Sequence, residues 1–205
     1  MVIKMTIDNL FNELRQNMRY LGLITALTVA CGNNEFKCPE GTQKKQMPGM
    51  DYCMNDKGKP HGPAVRMYPS GAIAARINFI DGKASGKFQS WYENEDIAID
   101  GAFDDDKLDG LMKAWNEEGV KIAEVEFQRG KLHGRFNSWY DNGQLHEKGE
   151  CEKGKPVGEW TIKYEDGTVV YGPAPANIQI MKTVTEGRNP CDSSQTLKSL
   201  SEHLL

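Results

Sequence analysis

The residues of this chain that could do chemistry are few: five cysteines, four histidines and one dense run of aspartates among 205 residues. Asp104, Asp105 and Asp106, followed by Asp109, suggest a calcium loop, but the glycine and terminal glutamate that such a loop requires at fixed spacing are missing. Their place in a turn accounts for their acidity. His61 and His133 each precede a glycine inside a repeated phrase, which explains their positions, while His146 and His203 stand alone. A catalytic imidazole needs a nucleophile or a carboxylate placed beside it, and no such constellation is visible. No Cys-x-x-Cys and no paired histidine spacing points to a metal. The expectation is a non-enzymatic protein with no catalytic residue, no metal and no cofactor.

The elements that must position these residues are set by a period. Gly62, Gly86, Gly110, Gly134 and Gly158 each close a Gly-Lys-x-x-Gly-like phrase, every one 24 positions after the last. A fixed period of this size signals a repeat architecture. Within one unit, an aromatic-rich run through Trp139 and Tyr140 ends at Asp141-Asn142-Gly143, and a second run ends at Glu152-Lys153-Gly154-Lys155. Each unit therefore predicts two strands and two turns, with Asn-Gly and similar pairs supplying the positive φ of two-residue hairpin turns. The expected fold is mainly β: an antiparallel meander of five 24-residue hairpin units, with a short C-terminal helix. Leu197, Leu200 and Leu204 give that helix its spacing, and Ser194 is the candidate N-cap.

Strand alternation assigns faces. Phe88 and Tyr92, Phe136 and Tyr140, and Trp160 and Tyr164 share one side of the sheet, whereas Met67, Trp91, Trp115 and Trp139 share the other. Neighbouring units place Trp91, Trp115 and Trp139 about 10 Å apart, two strand spacings, as a ladder. Such a ladder is either a binding face for protein, peptide or glycan, or core covered by residues 35–56, by the tail, or by curling of the sheet.

Composition excludes other classes. A formal charge of -4 and a pI near 5.6 leave no basic field for a phosphate backbone, so nucleic acid is not an expected partner. No apolar run is long enough to span a membrane as a helix.

The N-terminal region departs from the repeats. From Met18 and Arg19 the chain runs through a short apolar stretch to Thr28-Val29-Ala30-Cys31-Gly32, the layout of a secretory signal peptide. It resembles the lipobox of bacterial lipoproteins, with Thr28 where leucine is usual. That resemblance implies cleavage before Cys31, lipidation of Cys31 and, with Gly32 next, an outer-membrane location. Residues 1–17 do not fit a signal peptide, and translation is expected to start at Met18. Export would let the four later cysteines oxidise. Three pairings exist, and proximity favours Cys38–Cys53 with Cys151–Cys191.

The phrases Gly130-Lys131-Leu132-His133-Gly134 through Trp139-Tyr140-Asp141-Asn142-Gly143, and Gly58-Lys59-Pro60-His61-Gly62 through Tyr68, resemble the bacterial variant of the MORN repeat, a form also labelled as an antitoxin family. The resemblance spans residues 57–172 and is weakest in the third unit, where Asn116 replaces tyrosine. It implies a fold and a repeat count, and no chemistry. The organisation expected is an N-terminal extension (1–17), a lipoprotein signal peptide (18–30), an anchored lead-in with a disulfide loop (31–56), the repeat domain (57–172) and a C-terminal cap (173–205). The expected role is a membrane-anchored binding or scaffold module for a protein or peptide partner. The alternative is a cytosolic antitoxin-like protein that binds a toxin.

Overall fold

A computed structural model describes residues 36–173 and 189–194. Thirteen strands form one antiparallel sheet in which sequence neighbours are spatial neighbours. They are β1 (Thr42–Met47), β2 (Met50–Asn55), β3 (Pro60–Met67), β4 (Ile73–Ile80), β5 (Lys83–Trp91), β6 (Ile97–Asp104), β7 (Lys107–Leu108), β8 (Gly110–Trp115), β9 (Lys121–Gln128), β10 (Lys131–Trp139), β11 (Leu145–Glu152), β12 (Lys155–Lys163) and β13 (Val169–Pro173). The short β7 pairs only with β6, and β1 and β13 form the two edges. Where the sequence suggests a loop or a cover, the lead-in instead contributes β1 and β2, whose register runs from Thr42 opposite Asn55 to Met47 opposite Met50.

The two rows of turns differ, which corrects the expectation of two-residue turns at both ends. At one end Asp81-Gly82, Asp105-Asp106, Arg129-Gly130 and Lys153-Gly154 all have two consecutive positive φ values, the two-residue type I′ geometry. At the other end the turns are longer. There Tyr68 N donates to Ala72 O and Gly71 N to Tyr68 O, with positive φ at Gly71 and its counterparts Gly119, Gly143 and Gly167, and at Glu95 in the second unit. This is a type I turn closed by a left-handed residue, which glycine adopts without a Cβ clash.

The anchor glycines also lie elsewhere than a turn. Gly62, Gly86, Gly134 and Gly158 lie inside strands and Gly110 opens β8, all with positive φ, at bulges where one strand advances four residues against two on its neighbour: Leu132 pairs with Phe127, and Phe136 with Val125. Bulges of this kind bend and twist a strand, and their recurrence in every unit coils the sheet regularly.

One face of the sheet carries the core. Across neighbouring strands a row of side chains reads Ala64, Ile77, Phe88, Gly101, Met112, Val125, Phe136, Gly149 and Trp160. Glycine interrupts the row at Gly101 and Gly149, beside Met112 and Trp160. Gly149 leaves room for the Trp160 ring, which a Cβ at that position would overlap, and the Phe136 and Trp160 rings lie 5.5 Å apart. Phe79, Phe103 and Phe127 form a second buried row, and Cys151 takes the next place in it. From there Cys151 bonds to Cys191, while Cys38 bonds to Cys53. Both expected disulfides are formed, and each ties a flanking segment to the sheet. Ser193 and Ser194 begin a helical turn whose cap is Asp192, with Oδ1 accepting from Ser194 N at 2.9 Å; Ser194 is not the cap. The helix expected over residues 195–205 lies outside the described residues, as does Cys31. Among the described residues, no helix is long and apolar enough to cross a membrane.

Candidate binding face

The geometry of the tryptophan row begins with a tyrosine. Six positions after each anchor glycine, the tyrosine leaves its strand and reaches across to the next unit. Tyr68 Oη donates to the carbonyl of Trp91 at 2.8 Å, Tyr92 Oη to that of Trp115 at 2.7 Å, and Tyr140 Oη to that of Lys163 at 2.9 Å. Asn116, the departure in the third unit, takes a different course: its Oδ1 accepts from Val120 N within its own turn, and Nδ2 faces Asp141 at 3.5 Å. These latches fix the backbone of Trp91 and Trp115 relative to the preceding unit.

Trp91, Trp115 and Trp139 are the last residues of β5, β8 and β10. The register places each on the face opposite the core. Ser90 stands opposite Ile99 and Trp91 opposite Ile97, so Ala98 is an extra residue in β6; Ile122 and His146 are the extra residues beside Trp115 and Trp139. A bulge therefore accompanies each of these three tryptophans and re-aims it at the strand end. All three tryptophans are half-buried. They alternate with Ile73, Ile97, Lys121 and Leu145 to make a continuous stripe, and Lys121 Nζ lies 4.4 Å from the centre of the Trp139 ring, where Glu124 also holds it at 2.8 Å. The ladder expected from the sequence is thus on the face that the core does not use.

Beyond the stripe comes the row of longer turns. Residues 93–96, 117–119, 141–143 and 165–167 hold eight carboxylates and no lysine, arginine or histidine. Their field reaches the latches: burial first, then Glu117 and Glu118, push the Tyr92 hydroxyl far above its ordinary value, and burial with Glu165 and Glu147 raises Tyr140.

The other residues singled out in the sequence serve the fold. His61 Nδ1 and His133 Nδ1 face the backbone N–H of Asp81 (3.3 Å) and Lys153 (3.4 Å), and in the third unit Asp109 Oδ2 accepts from Arg129 N at 2.9 Å. In the third unit the residue before the anchor glycine is thus an acceptor for the next type I′ turn, and His61 and His133 hold the same place in theirs. His61 Nδ1 also lies 3.1 Å from Asp81 Oδ1, and this contact is the main cause of the lowered Asp81 pKa. Within the aspartate run, Asp105 pairs with Lys83, and Asp106 Oδ1 accepts from Ala84 N at 2.8 Å. Among the described residues no group of His, Cys, Asp or Glu could hold a metal ion.

One residue escaped sequence reasoning. Glu147 is a buried carboxylate in a column otherwise filled by Ala75, Ile99 and Ala123, beside Ser138, whose hydroxyl is buried without a hydrogen-bond partner. The break in an apolar column at the 24-residue period was the available signal.

Hairpins and the latches between them define the class: a β-hairpin repeat protein, whose units resemble the MORN type. Residues 132–150 match the MORN repeat variant family. No curated protein matches the chain. Among solved structures, a point mutant of S. aureus TarM in complex with fondaparinux, alpha-GlcNAc-glycerol and UDP is 10% identical over 75% of this chain and 24% of its own, at a TM-score of 0.31. The GtfA/B complex bound to UDP and GlcNAc is 8% identical over 82% and 31%, at 0.23, and the Glycosylation Associate Protein (Gap123) complex from Streptococcus agalactiae is 12% identical over 84% and 29%, at 0.25. This chain spans about a quarter to a third of their lengths. Likenesses at these scores bear on neither fold nor activity.

Proposed function

We propose that this protein is a non-catalytic binding or scaffold module, lipid-anchored through Cys31 in a bacterial envelope, with the outer membrane favoured, and that Trp91, Trp115 and Trp139 form its contact face for a protein or peptide partner. The observation that carries the binding reading is the placement of three half-buried indoles on the face opposite the core, at strand ends fixed by bulges. A repeat array supplies an extended surface of this kind. Export is supported by the lipobox-like Thr28-Val29-Ala30-Cys31 and by the pairing of all four remaining cysteines into disulfides, which persist in oxidising compartments.

Intact mass spectrometry of the membrane fraction tests the anchor. The expected species starts at Cys31, carries added acyl mass and lacks four thiol hydrogens. An unprocessed soluble chain with free thiols would overturn it.

A further inference from the structure

Building on the binding reading, we infer that the tryptophan stripe and the carboxylate row beside it dock a cationic, proline-rich peptide segment running across the strands in the polyproline II conformation. Charge selects the sign of the partner. The row of longer turns contributes eight negative charges, and none of its own residues is a lysine, arginine or histidine that would offset them. At the opposite end, Lys83 already pairs with Asp105 and the turns mix both signs, whereas the tryptophan end contains no basic residue in its turns. Each tryptophan stands two residues before an exposed carboxylate: Trp91 before Glu93, Trp115 before Glu117 and Trp139 before Asp141. Apolar and anionic positions thus recur together in each of the three central units.

The period selects the conformation. Two strand spacings separate neighbouring tryptophans by about 9.6 Å. A polyproline II helix repeats every three residues at about 9.3 Å, whereas an α-helical heptad advances about 10.5 Å. Over the two steps from Trp91 to Trp139 the mismatch accumulates to about 0.6 Å for polyproline II, against nearly 2 Å for the helix. A triplet such as Pro-Pro-Lys would set a proline ring on each indole and an ammonium against each carboxylate, the recognition mode of aromatic surfaces that take proline-rich segments. The molecule already makes such a contact internally, with the Lys121 ammonium over Trp139. Burial first, and then the carboxylate of Glu93 at Tyr68 and of Glu117 at Tyr92, hold these two hydroxyls protonated.

The test is a titration of the full oxidised chain with three nine-residue peptides, repeats of Pro-Pro-Lys, Pro-Pro-Gln and Pro-Pro-Glu, followed by tryptophan fluorescence at low and high salt. The lysine peptide is expected to bind, to weaken with salt, and to lose about tenfold in affinity in the E93Q/E117Q/E118Q variant, whose changed side chains are exposed. The glutamate peptide is expected not to bind. If the glutamine peptide binds as tightly as the lysine peptide and Trp115→Leu abolishes both, the cationic partner is overturned and the binding face stands. If none of the three peptides changes the fluorescence, the peptide-docking inference and the tryptophan contact face fall together.

Discussion

Replacing Tyr92 with phenylalanine isolates one inter-unit latch. The ring is buried and its hydroxyl donates to the Trp115 carbonyl at 2.7 Å. Removing the oxygen deletes a hydrogen bond with a net value of about 1 kcal/mol and leaves a carbonyl without its partner, a loss of about 1–3 kcal/mol where water cannot reach it. A destabilisation of about 2 kcal/mol is expected. Tyr140→Phe is the matched control. Its hydroxyl makes the same bond to Lys163 at 2.9 Å, but the pair is exposed, so water replaces the lost donor and the expected change is about 0.5 kcal/mol. Urea unfolding followed by circular dichroism measures both, with unchanged m-values as the sign that only stability has moved. Thermal midpoints should fall by about 2–4 °C per kcal/mol for a chain of this size. Equal losses in the two variants, or a larger loss for Tyr140→Phe, would refute the claim that buried latches couple the units.

Three further outcomes follow from the same structure. Gly149→Ala drives a methyl into the Trp160 ring and should destabilise by about 2–3 kcal/mol, whereas Gly101→Ala meets the flexible Met112 Cγ at 3.2 Å and should lose less; parallel urea melts compare them. Cys191→Ser opens the Cys151–Cys191 loop of 40 residues and should lose about 4 kcal/mol on the loop-entropy estimate, against about 3 kcal/mol for Cys38→Ser with its separation of 15, as read by denaturation without reductant. Because burial raises the folded-state pKa of Tyr92 above the ordinary 10.0, its contribution is fully present below that pH. It is lost as pH rises past 10.0, where only the unfolded chain ionises. Stability should therefore fall with a slope of about 1.4 kcal/mol per pH unit for each such tyrosine, and an alkaline titration of Tyr92→Phe should show a shallower slope than the parent.

Much of this architecture was legible because it is written periodically. Glycines at a fixed spacing, with strand-forming residues between them, specify hairpins, and the neighbouring cysteines at each end specify two local disulfides. What was illegible depends on partners far apart in sequence or on signals too weak to stand alone. Thr42–Met47 reads TQKKQM, without alternation, and becomes a strand only because β2 offers it an edge. The positive φ of the anchor glycines falls at bulges within the sheet, which the 24-residue spacing alone does not locate. Tyr92 reads as a core aromatic, and its bond to Trp115 across 23 residues appears only when the units stack. Asp192, two residues before Ser194, displaces it as cap because its carboxylate reaches the Ser194 N–H.

The latches also separate what the fold requires from what it does not. Tyr68 and Tyr92 bond to the carbonyls of tryptophans, and Tyr140 makes the same bond to the carbonyl of Lys163, the equivalent residue of the last unit. The first unit has Met67 at this position. The latch accepts a tryptophan or a lysine carbonyl alike, and the stacking of units does not select an indole. The tyrosines, the anchor glycines and the acceptors before them each have a partner that the repeat needs; the side chains of Trp91, Trp115 and Trp139 have no such role in the latch. Three half-buried indoles in consecutive central units, beside a row of eight carboxylates with no basic residue among them, are costly to a free-standing sheet. The cationic segment proposed above would cover the indoles and offset that charge together.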